Sequence, residues 1–390
     1  MTLAQQQELH LDRRNINTMP HGQRYPPWFE ETFGFREGSS YAKNRAHFTM
    51  RGGALHCDDS PWEDMHVGEF GTPSLGELRA MPAAEAGAGV GVDGAAGLRF
   101  RHHTNGNART MHEDPANAGA VFMAASQFNC LEMVGPGVSP RHGVTGYATD
   151  MTQGPACALA CPAATVFRNY LCEPGATSGG GGDAVGPGQG GGEVQIDCLR
   201  DVAALLGGAS RGYWAMSNGY ALPLQDKAGG SIEKLGAKLR ADDGELAAAS
   251  EAVLRVGVHW DTQVSPGRDR TQQRTHRVAQ VFASALPIAY TRSTPLKDWE
   301  PFARLVLTAA FDATLCAAAV LAARRGGGAK RVRVFLTAIG GGAFGNPAAW
   351  IVEAIDAALV RHAGQPLDVA LVHFGQAVPG EYAGVGERFR

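Results

Sequence analysis

Apolar and polar residues follow two rhythms along this chain, and the change between them is clearest near the C-terminus. Val332, Val334, Leu336 and Ile339 lie in a short, β-branched run, the pattern of a strand buried in a parallel sheet. Gly340, Gly341 and Gly342 end that run, and beyond Asn346 and Pro347 the residues Trp350, Ile351, Ala354, Ile355, Ala358 and Leu359 recur at helical spacing. Strand, glycine loop, helix is the predicted order. The same reading predicts a buried strand over 121–125, a strand over 255–260, an apolar run over 278–290 interrupted by Gln280 and Ser284, and a strand over 367–374. Helices are predicted over 194–206, over 232–254 with a break near 242–244, and over 305–323. Such alternation of strand and helix predicts an α/β protein with a largely parallel or mixed sheet.

Two regions lack this rhythm. Residues 1–115 are dominated by polar and turn-forming residues, with an aromatic cluster of Tyr25, Trp28, Phe29, Phe33 and Phe35 that reads as a satellite core or lid. They read as an N-terminal extension packed on a domain spanning 116–390. Within that domain, residues 175–193 (GATSGGGGDAVGPGQGGGE) are low in complexity. They carry too little apolar surface to offset the entropy of ordering, so a disordered loop is expected.

Composition narrows the class. At 390 residues and 44% hydrophobic content the chain can bury a large core. A net charge of -3 gives no reason to expect nucleic acid or an anionic membrane as a partner. Residues 305–323 are apolar enough to resemble a membrane span, but Asp312 sits at their centre and Arg304, Arg324 and Arg325 flank them, as suits a buried helix. The seven cysteines are odd in number and scattered, which predicts reduced thiols inside a cell. Cys157, Cys161 and Cys172 fit no common zinc spacing, so no metal is expected. The N-terminus lacks the apolar core of a signal peptide, so an intracellular, cytoplasmic location is expected.

Two motifs are false matches. Gly340, Gly342 and Gly345 satisfy G-x-G-x-x-G. The following strand, however, ends in His373 and Phe374 rather than an acidic residue, and too few residues remain for a nucleotide half, so no dinucleotide cofactor is expected. No Lys-Ser or Lys-Thr follows, which excludes a P-loop. Gly208 to Gly212 spell G-x-S-x-G, but with a helix before and a strand after, the reverse of a nucleophile elbow. What the loop at 340–345 can do is bring backbone N–H groups to an anionic ligand without a Cβ in the way, aided by the helix dipole. A second cluster follows the 121–125 strand: Ser126, Gln127 and Asn129 arrive where it ends, with Glu132 shortly after, and glycines lead to Asp150. Strand carboxyl ends are where ligands sit in open α/β sheets. Taken singly, Glu132 and Asp150 read equally well as capping or ion-pair residues.

The segments FLTAIGGGAFGNPAAWI, ASQFNCLEM, TGYATDMTQGPACALA and VAQVFASALPIAY together resemble the macrodomain superfamily. Within it they resemble the branch related to poly(ADP-ribose) glycohydrolases and, most closely, the arginine-specific macrodomain ADP-ribosyl hydrolases. The resemblance covers residues 115–375. It implies a three-layer α/β/α fold around a mixed, largely parallel sheet, ADP-ribose as ligand and ADP-ribosylated protein as partner, without a cofactor. Gly340, Gly341, Gly342, Ala343, Phe344, Gly345 and Asn346 would cradle the diphosphate. Gln127, Phe128, Thr152, Gln153, Gly154 and Gln280 would complete the ligand site. Asn129 would bond the distal ribose, Asp150 would position water, and Glu132 would hold the leaving group, implying hydrolysis of the N-glycosidic bond to arginine. A non-catalytic reader of ADP-ribose is the alternative. The chain departs from the pattern in its glycine-rich stretch after Gly175, in Arg141-His142 where a carboxylate is expected, and in Asp312 where Glu is expected. The signature of three glycines followed closely by paired Glu is absent, which counts against cleavage of poly(ADP-ribose) chains.

Overall fold

Seven strands form the central sheet: β1 (Glu69–Gly71), β2 (Arg99–His103), β3 (Val121–Ala125), β4 (Gly257–Gln263), β5 (Arg277–Ala283), β6 (Val332–Leu336) and β7 (Leu367–Val372). Their spatial order is β1-β4-β5-β3-β6-β7-β2. Neighbours from β5 through β3, β6 and β7 to β2 are parallel, whereas β4 runs antiparallel to both β1 and β5. The computed structural model describes residues 28–85, 97–175, 185–207, 212–226, 229–264, 275–291, 293–326 and 330–389.

Side chains of alternate residues leave the sheet on opposite faces, and both faces are covered. Val121, Met123, Val334, Leu336 and Leu371 join one buried cluster, whereas Phe122, Phe335 and Ala370 join another with Met111, Ala160 and Ala164. The first face carries a long helix, α3 (Leu296–Arg324), which packs against α1 (Leu75–Glu85), α4 (Ala348–Arg361) and the helix Ser231–Ala241. The second face carries α2 (Gln153–Ala160) and the short helix Ala108–Glu113. The result is the expected three-layer α/β/α arrangement around a mixed, largely parallel sheet.

The helix α3 is long and apolar enough to cross a membrane, yet its apolar stretch is mostly buried inside the protein, with Asp312 near its middle. Its carboxylate is wholly buried and is bonded by Arg79 from α1 at 2.5 Å, by His362 at 2.7 Å and by Arg361 from α4. Burial pushes its pKa up, but the His362 and Arg79 bonds and the Arg361 charge hold it at about 2. One buried anion thus ties three helices together.

Two expectations need correction. Both edges of the sheet, β1 and β2, come from before residue 115, so the extension and the domain share one sheet. Residues 185–193 are ordered, because hydrogen bonding replaces the apolar area they lack. Gln189 is 1% exposed, donates to the Asn129 and Arg168 carbonyls at 2.9 and 3.1 Å, and accepts from the Ile196 N–H at 3.0 Å. Gly188 has φ +68°, and a Cβ there would lie 2.3 Å from the Tyr41 hydroxyl and 2.4 Å from the Tyr170 backbone. Residues 176–184, the serine Ser210 and the aromatic Tyr25 lie outside the described residues. Around Ser210 the helix Arg200–Leu206 precedes and the strand Trp214–Ser217 follows, the order that excludes a nucleophile elbow.

Candidate functional site

Parallel strands place their following loops at one end of the sheet. β3 lies between β5 and β6, with Val121 paired to Ala279 on one side and Val334 on the other. The segment after β3 carrying Glu132, the turn after β5 carrying Tyr290, and the glycine loop after β6 are therefore neighbours, although more than 200 positions separate the first from the last.

The glycine loop is built to leave donors free. Gly340 and Gly345 have φ of +79° and +74°, and a Cβ on either would crowd Ala285 at 2.5 Å or Ala289 at 2.9 Å. Asn346 is buried and ties the loop down, its amide donating to Leu286 O at 2.9 Å and Gly340 O at 3.3 Å. It braces the loop through that amide nitrogen, while its Oδ1 is buried with no hydrogen-bond partner among the described residues. Gly341 and Gly345 donate to Ala338 O and Gly342 O. Among the described residues, the N–H groups of Gly342, Ala343 and Phe344 take no internal acceptor, and α4 begins shortly beyond at Ala348. Successive free N–H groups ahead of a helix form a concavity suited to phosphate.

From this loop an aromatic wall leads towards the carboxylates. Phe344 packs on Tyr220 and Tyr290 with ring centroids 5.6 and 5.7 Å away, and those two tyrosines lie 5.4 Å apart. Burial raises the hydroxyl pKa of both, and the negative charge of Asp150 adds to the shift in each. Asp150 is half-exposed, and its carboxylate accepts the N–H of Thr152 at 2.8 Å. Thr152 is exposed and holds Asp150 at the entry to α2.

Glu132 lies deeper. It is 1% exposed, and neither carboxylate oxygen has a hydrogen-bond partner among the described residues. The guanidinium of Arg168 is 3.9 Å away. Arg168 is itself fully buried on a π-helical turn, Phe167–Leu171, and gives its hydrogen bonds to Cys130 O at 3.0 Å and Thr165 Oγ1 at 3.3 Å while stacking over Phe282 at 3.7 Å. Burial pushes Glu132 up to about 8, overriding the pull of Arg168. Its own N–H donates to the Tyr147 hydroxyl at 3.2 Å, and at Gly154 a Cβ would lie 3.1 Å from its Cγ and 1.8 Å from Ala125 O. Gly154 therefore lets α2 start against the end of β3 and close over Glu132.

Several residues expected at the ligand also make hydrogen bonds within the protein, since buried polar groups need partners. Asn129 is fully buried, accepting from Leu131 N at 3.2 Å and donating to Gln195 at 2.9 Å. Gln153 accepts from Ala125 N at 2.8 Å and donates to Met123 O at 2.7 Å. Gln127 accepts from Met133 N at 2.8 Å, and Phe128 is buried in the core. Gln280 is fully buried and donates to Cys157 O at 2.9 Å, beside His112 at 3.1 Å. Arg141 and His142 are exposed on a short turn.

Other site residues had not been expected. A hairpin of Trp214–Ser217 and Tyr220–Pro223 caps the Asn129 loop: Phe128 N donates to Gly219 O at 3.0 Å, and the Tyr220 hydroxyl donates to Met133 O at 2.7 Å. The dipeptide Asn218-Gly219, with φ of +46° and +83°, is the sequence signal that specifies it. Glu37 is the other addition. Its buried carboxylate accepts the N–H of Val144 at 2.9 Å, the N–H of Thr145 at 2.6 Å and the Tyr170 hydroxyl at 2.6 Å.

The chain matches no protein-family model and none of the curated proteins. Among solved structures it is similar to the poly(ADP-ribose) glycohydrolase of Thermomonospora curvata, at 14% identity and a TM-score of 0.38, over 80% of this chain and 82% of that one. It is also similar to the poly(ADP-ribose) glycohydrolase of Deinococcus radiodurans in complex with ADP-ribose, at 10% identity and a TM-score of 0.41, over 82% of this chain and 93% of that one.

Proposed function

We propose that this protein binds ADP-ribose and hydrolyses the N-glycosidic bond joining it to a modified protein side chain, with arginine as the substrate class. The observation that carries the reading is Glu132: a buried carboxyl without a hydrogen-bond partner among the described residues, on a loop adjoining a glycine loop whose Gly342, Ala343 and Phe344 N–H groups are unengaged among those residues. A carboxyl held at about 8 is protonated at neutral pH and can give a proton to a leaving nitrogen. In this scheme the diphosphate takes the N–H groups of Gly342, Ala343 and Phe344, and the ribose lies along Tyr220 and Tyr290. As the bond from the anomeric carbon to nitrogen breaks, Glu132 protonates the departing guanidine. Asp150 orients a water molecule, stabilises the oxocarbenium-like state and takes the water proton as the new bond to oxygen forms.

Incubation with arginine-, glutamate- and serine-modified proteins tests the proposal, with Asp150→Ala in parallel. Release from arginine alone, reduced 100-fold or more in the variant, is the expected result, about the scale of one acid-base group. Tight ADP-ribose binding with no release would sink the hydrolase and leave a reader. That reader has one observation in its favour: the glycine loop is exposed, whereas Glu132 is walled off.

A further inference from the structure

The sheet of an α/β protein covered on both faces shows near-continuous apolar strands, and two of these strands break that rule at their starts. β2 reads exposed-buried-exposed over Arg99, Phe100 and Arg101, and β6 opens with buried Val332, exposed Arg333 and buried Val334. β7 lies between them, and the register aligns Arg333, Asp368 and Arg99 in one row across three strands. With Arg101, Arg331 and Lys330 they line a groove of about 650 Å³. It lies at the opposite end of the strands from the glycine loop, roughly 17 Å away for a five-residue strand.

The charge there is unbalanced. Five cations face one carboxylate, Asp368, which is 2.5 Å from Arg101. Arg331 donates to Gly97 O at 3.0 Å and Arg333 to Ala116 O at 2.7 Å, bonds that fix their guanidinium groups without neutralising them. Among the described residues the side chains of Arg99 and Lys330 have no hydrogen bond or ion pair. The whole chain is at -3, so the excess of positive charge is local, and the overall balance that argued against a polyanion averages it away. Phe389, half-buried, lines the same groove and offers a ring beside the guanidinium groups.

We infer that this face binds single-stranded nucleic acid, its arginines and Lys330 taking backbone phosphates and Phe389 stacking on a base. Guanidinium groups spaced about 7 Å along a strand and about 10 Å across two inter-strand gaps suit a repeating phosphate chain better than a compact anion. An open groove with an aromatic beside it is the arrangement used for single strands without sequence preference. ADP-ribose chemistry plays no part in this groove.

The test is fluorescence anisotropy of a labelled oligothymidylate titrated with the full chain at several salt concentrations. Binding is expected that weakens with salt and is indifferent to saturating ADP-ribose. The double variant Arg99→Ala/Lys330→Ala removes side chains without internal partners, so its melting temperature should hold. Its affinity should fall by tenfold or more at low salt, with a salt slope shallower by about 0.7 for each phosphate that is no longer neutralised. Arg99→Glu alone should weaken binding further than Arg99→Ala. No binding at low salt, an unchanged slope in the double variant, or capture of ADP-ribose polymer without oligothymidylate would each overturn the inference.

Discussion

At the scale of single residues, Glu132 holds the most chemical information. Its value near 8 lies above the ordinary carboxyl value of 4.5, with burial as the first cause. Ionisation therefore opposes folding: the protonated form is free of penalty below 4.5, and stability is lost as pH rises from there towards 8. Replacing it with the neutral isostere removes the effect. Glu132→Gln is expected to melt at progressively higher temperature than the native protein as pH increases over that range, and to lose activity by 100-fold or more, on the scale of a proton donor. A melting difference independent of pH would refute the protonated carboxyl. Asn129, Gln153 and Gln280 teach the converse. In sequence a polar residue in or beyond a strand looks the same whether or not it bonds protein groups, and here all three do.

Among the elements, the glycine loop was legible because its signal is local. A β-branched run, glycines and a helical period need no distant partner to be read, and β6, the loop and α4 fall where that pattern puts them. Its geometry also yields a prediction. Gly345→Val places a β-branched residue at φ +74° with Ala289 2.9 Å from the new Cβ, a cost of about 1–3 kcal/mol. ADP-ribose affinity measured by calorimetry should fall at least tenfold, with Asp150→Ala retaining affinity as the control. Residues 185–193 were misread for the opposite reason. Their order comes from Tyr41, Tyr170 and the buried amide of Gln189, contacts that no composition reports. The capping hairpin stood between these extremes, marked by Asn218-Gly219 but needing the fold to show what it covers.

On the scale of the whole molecule, the segment before residue 115 is built into the same sheet and braces the loop before Asp150. It supplies both sheet edges, and its helix Trp28–Phe33 and Glu37 grip the loop that leads to Asp150. Trp28 donates to Thr145 O at 3.0 Å, and Gly143, at φ +78°, leaves room for the Glu37 carboxyl where a Cβ would come within 2.4 Å. Glu37→Ala would strip an acceptor from two buried N–H groups and a tyrosine hydroxyl, a loss of about 2–5 kcal/mol. Thermal unfolding should show that loss. Hydrogen exchange should localise the loosening to residues 143–150, and turnover should drop more than ADP-ribose affinity. Uniform protection across the variant would show that Glu37 braces nothing at the site.

What the amino-acid sequence determined alone is whatever is periodic or contiguous: the α/β class, most strands and helices, and the glycine loop. Tertiary structure decided which polar groups are spent on the protein's own backbone, where the N-terminal segment goes, and which arginines share a face. Those outcomes depend on pairs such as Glu37 with Val144 and Arg333 with Arg99, joined only when the fold brings distant segments together. Burial and charge are properties of such neighbourhoods, and a linear order of residues does not contain them.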